Sequence, residues 1–528
     1  MENKKTKIIS IGAIVALALT VITATYAYFN AQVGDPAAAD VKINANTVDT
    51  FTFASGSAIS FSINQDNFAS GAGNQTGSTY ASALLTANNK TNTATEHYYM
   101  YLNIENNTFT YSINTNTPEI IMTVKNSVGN EVTDISTLNH VIVTGANGTQ
   151  VSGYDITNKS GLITLFDNRE ITTTSSKEEK WNITITFVNF DENQNANAGK
   201  SMSAKVMIQK EVIPQVVSDV CSNGTNLATC ITTLANKSIP SATNIYHHDS
   251  SLSNGAGDNS YRYAGASDVV NNFVCFGSNE STCPTDNLYR IIGVFGNNVK
   301  LIKYDYGTTD ELGTDGDYSK TYKERGMNST YKGTYGDGER IGVYYWNNAT
   351  QTNTWSESLL NKTNLNTNFI NNIREEWANK IATTTWKVGG NTYSNIYSKT
   401  PSVVYQNEIV SPVTTNTTDN ATEYTAKIGL MYVSDYGFAA DPSAWALTMG
   451  SYNNTTATST NWMYMGLYEW TISRNADRSN FAFRVDGDGR VDNRYVDYDD
   501  AVRPSFSLLS SVTYSKGDGT QNSPIRIN

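Results

Sequence analysis

The sequence predicts a mostly β protein with minor α content: an N-terminal β-sandwich followed by an α+β domain. Three observations carry this. Short apolar runs with period-two alternation recur along the chain, separated by clusters of Gly, Asn, Asp and Ser. One long stretch, Trp355 to Lys380, reads instead as helix. The composition is that of a folding chain: 528 residues, 39% hydrophobic, 16% charged, 32 Tyr and 10 Pro, far from the charge-rich, aromatic-poor make-up of disorder. Length alone suggests roughly two to four domains. The net charge of −12 argues against a nucleic-acid partner. The four His all lie at or before His248, so the second half has no His-based catalysis or His-rich metal site.

Residues 1–27 read as a signal peptide or membrane anchor. Lys4, Lys5 and Lys7 precede an apolar run from Ile8 to Ala24, and Thr25-Tyr26-Ala27 offers small residues for cleavage after Ala27. An uncleaved anchor is the alternative, since the run is nearly long enough to span a bilayer. Either reading places the rest of the chain outside the cytoplasm, on the cell surface or secreted.

Residues 28–212 form the expected sandwich. Its strands include Tyr99 to Ile104, Ile120 to Val124, Trp181 to Phe187 and Met202 to Gln209. Tyr26-Ala27-Tyr28-Phe29, then Trp181 to Phe187, Asp191-Glu192-Asn193-Gln194-Asn195 and Gly199-Lys200-Ser201, resemble the camelysin-type and biofilm-matrix-fibre proteins of Gram-positive bacteria. The resemblance covers about residues 20–210. It implies a secreted β domain, in some members one that self-assembles into fibres. The protease motif H-E-x-x-H is absent, so the region is expected to be a stalk.

Residues 213–270 read as a linker. Pro, Ser, Thr and Asn are frequent, with one short helix between Val220 and Ala235. Cys221, Cys230, Cys275 and Cys283 form two close pairs. In a secreted chain these are expected to be disulfides, and near-neighbour pairing is the simplest of three connectivities.

Residues 271–528 form the expected ligand-binding domain. Tyr289 to Phe295 and Val299 to Lys303, joined by Gly296-Asn297-Asn298, predict a hairpin. Trp355 to Lys380 predicts two short helices broken around Thr363 to Asn366. The unusual stretch is Arg474 to Arg503, which holds seven Asp and six of the chain's 13 Arg, with no Lys and no Glu. Asn codons randomised in their first two bases yield Asn, Asp, Arg, Ser, Tyr and Gly but never Lys or Glu. The window thus has the residue set of diversified Asn codons. The plain alternative is a solvated surface of weak Asp/Arg pairs. Phe481, Phe483, Val485, Val491 and Val496 supply an apolar frame for two or three strands carrying polar loops.

Trp470-Thr471-Ile472-Ser473, Phe481 to Val485, Gly487 to Val491 and Ala501-Val502-Arg503-Pro504-Ser505-Phe506 resemble the C-type-lectin-like fold. More narrowly, they resemble ligand-binding domains diversified by retroelements, and surface proteins of gut-type Gram-positive bacteria, some described as amidase domains. The resemblance covers about residues 245–528. It implies a surface formed by Asn475, Asp477, Arg478, Asn480, Arg484, Asp486, Asp488, Arg490, Asp492, Asn493, Arg494, Tyr495, Asp497, Tyr498, Asp499 and Asp500. Arg503 and Pro504 belong to its framework, and Trp470 to the core.

Competing chemistries fare less well. Asp486-Gly487-Asp488-Gly489-Arg490 starts like a calcium loop, but Arg490 takes a ligand position and no Glu closes it. The Glu-Pro-Asn and Gln-Pro-Asp triplets of calcium-dependent lectins are absent. Formylglycine-generating enzymes share the fold but use C-terminal cysteines, which this chain lacks after Cys283. A hydrolase would need a nucleophile with a base, or paired carboxylates such as Asp497, Asp499 and Asp500. The expected function is display of a ligand-binding face for an external protein or glycan, without catalysis, cofactor or metal. The alternatives are a fibre or matrix subunit assembling through the N-terminal sandwich, and a cell-wall amidase-like hydrolase. The N-terminal segment, if uncleaved, makes the membrane a partner.

Overall fold

The computed structural model describes residues 49–528 apart from 69–70, 89–91, 136, 327–332, 335–340 and 413–420. The expected signal or anchor lies outside the described residues. Strand makes up 39% and helix 19%, so the protein is mostly β with minor α. The chain divides into two compact units, Met1–Val212 and Ile213–Asn528. Among the described residues no helix is long and apolar enough to cross a membrane.

The first unit has two antiparallel sheets. One has six strands in the order Thr50–Ser55, Gln75–Thr86, Ser176–Phe187, Ile120–Asn126, Gln150–Asp155 and His140–Thr144. The other has four: Ile59–Ser62, Ser201–Gln209, Ala94–Asn107 and Gly161–Thr173. Alternate residues of both sheets, among them Leu102, Ile104, Ile183, Ile185, Val206 and Ile208, bury one shared core. The Asn/Gln-rich stretch after Phe187 is structural. Gln194 Nε2 and Asn197 Nδ2 each donate at 2.8 Å to the fully buried Glu119 carboxylate, which also accepts from Ser112 and Ile113. A buried charge needs such a cage.

In the second unit one sheet runs Ile245–His248, Ser260–Tyr263, Leu288–Phe295, Asn298–Lys303, Ser505–Ser507 and Ile428–Gly429, with Phe273–Cys275 also paired to Leu288–Phe295. The second runs Tyr318–Tyr322, Ile341–Tyr345, Asp499–Ala501, Glu469–Asn475, Phe481–Val485 and Val491–Tyr495. Gly390–Asn391 joins Glu469–Asn475 in parallel. The expected hairpin is present: Phe295 pairs with Asn298 across a two-residue turn, with Gly296 at φ +60°.

Two expectations are corrected here. Residues 213–270 are not a linker but part of the second unit. Helix Leu227–Lys237 buries Leu227, Ala228, Cys230, Ile231 and Leu234 in the main core, and two strands from this stretch extend the first sheet. The polar residues that suggest a linker serve as caps: Asn226 accepts from Thr229 N and donates to Ser510 O. The break expected at Thr363–Asn366 lies instead at Ile373, after a wide-turn helix Leu360–Phe369 and its continuation Ile370–Asn372. Asn361, Asn364 and Asn366 stay helical because their amides donate to Trp355 O, Leu312 O and Ile428 O. These tertiary bonds override weak helix propensity. The cysteines form Cys221–Cys230 and Cys275–Cys283, with Cα atoms 5.4 and 5.8 Å apart.

Candidate functional site

The Arg474–Arg503 window lies mainly on one sheet. Strand Phe481–Val485 pairs in register with Val491–Tyr495, placing Phe481 opposite Tyr495 and Arg484 opposite Asp492. The frame behind it is a set of buried polar ties. Trp470 is fully buried and donates Nε1 to Tyr344 O at 2.9 Å. Arg503 forks onto the Glu469 carboxylate at 2.8 and 3.0 Å and reaches Met463 O. Burial raises the Glu469 carboxyl against the opposing pull of Arg503.

Two loops leave this frame, and both are held from within. In the loop after Asn475, its Oδ1 accepts from the amides of Asp477 and Arg478 at 3.0 and 3.1 Å. Asn353, fully buried, donates Nδ2 to Asn475 O, Arg478 O and Phe481 O at 2.7, 2.9 and 2.8 Å. In the second loop, Asp486 accepts from Asp488 N and Arg490 N, and its other oxygen takes Arg490 Nε at 2.5 Å. Tyr464 and Tyr436 donate their hydroxyls to Gly487 O and Gly489 O at 2.8 and 2.6 Å. Gly489 sits at φ +97°, where a Cβ would come within 2.6 Å of Thr458. The Asp486 oxygens that resemble calcium ligands are thus occupied by their own turn.

The window therefore divides. Asn475, Arg484, Asp486, Asn493 and Asp500, all expected as contacts, are buried and structural. Arg484 pairs with Asp500 at 3.1 Å and stacks on Tyr468 at 4.2 Å. Burial pushes the Asp500 carboxyl up to about 6 although Arg484 pulls it down. Burial also holds Arg474 down at about 10. Asp477, Arg478, Asn480, Asp488, Tyr495 and Tyr498 are exposed, and Arg490, Asp492, Arg494, Asp497 and Asp499 are half-buried. Strand Val491–Tyr495 alternates as expected, but Glu469–Asn475 and Phe481–Val485 are buried at every position, which takes Arg484 inward.

The exposed residues converge on one feature, a chain of stacked planar groups. Arg478 lies 5.1 Å from the Phe481 ring, Phe481 is 4.1 Å from Tyr495, Tyr495 is 6.2 Å from Tyr498, and Arg494 lies 4.4 Å over Tyr498. Tyr495 and Tyr498 remain 45% and 44% exposed, so both rings keep contact area for a ligand. Arg484, Arg490 and Arg503 are each neutralised by a carboxylate. Arg478 and Arg494 have no carboxylate within 4.0 Å among the described residues, and both lie at the ends of the aromatic chain. Rigid rings give contact area at low entropic cost, and guanidinium groups give forked donors.

Two of the three carboxylates proposed for hydrolysis, Asp499 and Asp500, have partners of their own. Asp499 accepts from Lys320 at 2.9 Å and Ser319 at 2.7 Å, and Asp500 is held by Arg484. A cleft of about 300 Å³ lies elsewhere, lined by Asn226, Thr229, Thr232, Asn297 and Ser510, without an ionisable side chain. Among the described residues no three His, Cys, Asp or Glu side chains converge as metal ligands. Sequence reading missed Asn353, Tyr468, Lys320 and Tyr393, whose amide donates to Asp477 at 3.3 Å. All lie outside the window, and nothing local marks them. No protein-family model matches the chain, and no curated protein matches its sequence.

Proposed function

We propose that the chain is a secreted or cell-surface protein whose second unit, C-type-lectin-like in character, binds an external protein or glycan through the exposed part of the 474–500 window. The observation that carries this reading is the Arg478–Phe481–Tyr495–Tyr498–Arg494 chain of planar groups, in which Arg478, Tyr495 and Tyr498 are exposed, Arg494 is half-buried and Phe481 is buried as its anchor. The two disulfides suit an extracellular location. The test is a glycan and extracellular-protein array probed with the full chain, then with the triple variant Arg494→Ala, Tyr495→Ala, Tyr498→Ala. Capture should vanish, while stability changes little, by about 0.5 kcal/mol per exposed position. Unchanged capture sinks the assignment of the face. Sequencing the locus across a population tests diversification separately. Variation should fall on codons 477, 478, 480, 494, 495 and 498 and spare 475, 484, 486, 493 and 500.

One observation favours a second role, a fibre subunit assembling through the first unit. Strand Ile59–Ser62 pairs with Ser201–Gln209 only as far as Ala204. From Val206 to Gln209 the outer edge carries no strand among the described residues. An added strand from residues 28–40 of a neighbouring copy would complete it. Deleting Tyr28 to Asp40 should then stop assembly, and a full chain that stays monomeric at every concentration refutes this role.

A further inference from the structure

The second unit buries a cluster of charges that the ligand-binding reading does not use. Lys300, on strand Asn298–Lys303, places Nζ 2.5 Å from Asp435 Oδ2, and both side chains are almost fully enclosed. The Lys300 stem runs among rings, with Nζ 4.4 Å from Tyr432, 5.2 Å from Trp386 and 5.8 Å from Phe295. Asp435 Oδ2 also accepts from Tyr432 N at 3.0 Å, while Arg262 faces Oδ1 at 3.5 Å. A third acid is set beside them. Glu408, with no exposed surface, accepts from Val433 N and Ser434 N at 3.0 and 3.2 Å, and from the Ser473 hydroxyl. Three consecutive amides, 432 to 434, therefore hold the two carboxyl groups side by side.

We infer that Lys300 and Asp435 condense to an intramolecular amide, with Glu408 as the proton carrier. The Nζ lone pair attacks Asp435 Cγ, and the Nζ–Cγ bond forms. The Cγ–Oδ2 bond breaks. The lone pair is freed when one Nζ proton passes directly to Oδ2 across their 2.5 Å contact; after attack Glu408 takes a second proton from the nitrogen and returns it to Oδ2, which leaves as water. An ammonium and a carboxylate become an amide and water, with no oxidant and no net proton. Arg262 at Oδ1 is placed to hold the charge that develops on that oxygen during attack.

The surroundings favour both reacting forms. Burial lowers the Lys300 ammonium, moving it toward the nucleophilic amine. Burial raises the Glu408 carboxyl to about 7, where it both gives and takes a proton near neutrality. Charge balance survives the reaction, because Arg262 keeps Asp258 at 2.7 Å. The amide also relieves the cost of keeping two ions out of water, a cost that a buried pair recovers only in part. The product ties a strand of the first sheet to helix Val433–Ala439 across 135 residues, closing a long loop of the unfolded chain. The other enclosed lysine, Lys303, faces the more exposed Glu311 at 3.1 Å and serves as an internal control.

The test is a tryptic map of the reduced and alkylated full chain. Lys300 should resist cleavage, and peptide 291–303 should appear joined to peptide 428–474, lighter by one water than the two summed. Cleavage after Lys303 should be normal. Separate peptides 291–300 and 428–474 at unmodified mass would overturn the inference, leaving an ordinary ion pair. Lys300→Arg keeps the charge but cannot condense and should yield peptide 428–474 alone. Glu408→Gln, in chain that elutes and gives a circular dichroism spectrum as wild type, should form the joined peptides roughly 100-fold more slowly or less, the size of a general acid–base contribution. An unchanged rate removes Glu408 from the reaction.

Discussion

Asn353 should be the most sensitive single position of the candidate site, although it lies far outside the window. Its two amide hydrogens serve three carbonyls, Asn475 O, Arg478 O and Phe481 O, at 2.7 to 2.9 Å. Asn353→Ala removes them and leaves buried acceptors unpaired. About two net hydrogen bonds with the attendant desolvation amount to ~2–4 kcal/mol. A unit of about 300 residues loses about 2 °C per kcal/mol, so the melting temperature should fall by roughly 4–8 °C. Asn353→Asp is nearly isosteric but turns an acceptor toward three acceptors, so it should cost more than alanine. Differential scanning calorimetry of the three proteins measures both effects. A loss below about 1 kcal/mol for alanine, or a milder effect for aspartate, would refute the claim that this amide holds the loop.

Arg484→Met should cost about 3–5 kcal/mol, because it leaves Asp500 buried without its partner. The same change at exposed Arg478 should cost within about 0.5 kcal/mol; equal costs in denaturant titration would erase the division between frame and face. Gly489→Ala should destabilise by about 1–3 kcal/mol, since the residue sits at φ +97° against Thr458; a neutral result would mean that loop is not packed as described. The pH dependence has a definite sign. Glu408 keeps its proton up to about 7 when folded against an ordinary 4.5, so its contribution is complete below 4.5 and lost as pH rises through 7. His248, held near 2 by burial against 6.5, acts oppositely: its contribution is present above 6.5 and is lost as pH falls. Glu408→Gln should therefore remove the loss of stability on going from pH 4.5 to 7 while keeping the acid-side loss. Identical slopes for variant and wild type would count against the raised carboxyl.

Much of the architecture is legible along the chain because strand alternation is a local property. Trp181, Ile183, Ile185 and Phe187 point into the core as their spacing requires. The Gly296 hairpin and the boundary near Val212 follow from turn residues and composition. Polar residues are another matter, because a side chain's type does not say what it meets. The Asn-rich run 361–366 suggests a break, yet amides reaching Trp355, Leu312 and Ile428 keep it helical. The connector composition of 213–270 allows the one short helix but hides that it packs in the core of the second unit and that two strands follow it. In the window, Arg484 and Arg478 are the same residue type six positions apart, and only the fold makes one a buried ion-pair partner and the other an exposed stacking group. The sequence by itself determined the β class, the division into two units and the window where charge concentrates. Tertiary structure alone decided which of those charges meet a partner, because burial and pairing depend on groups far apart in the chain, as Lys300 and Asp435 are.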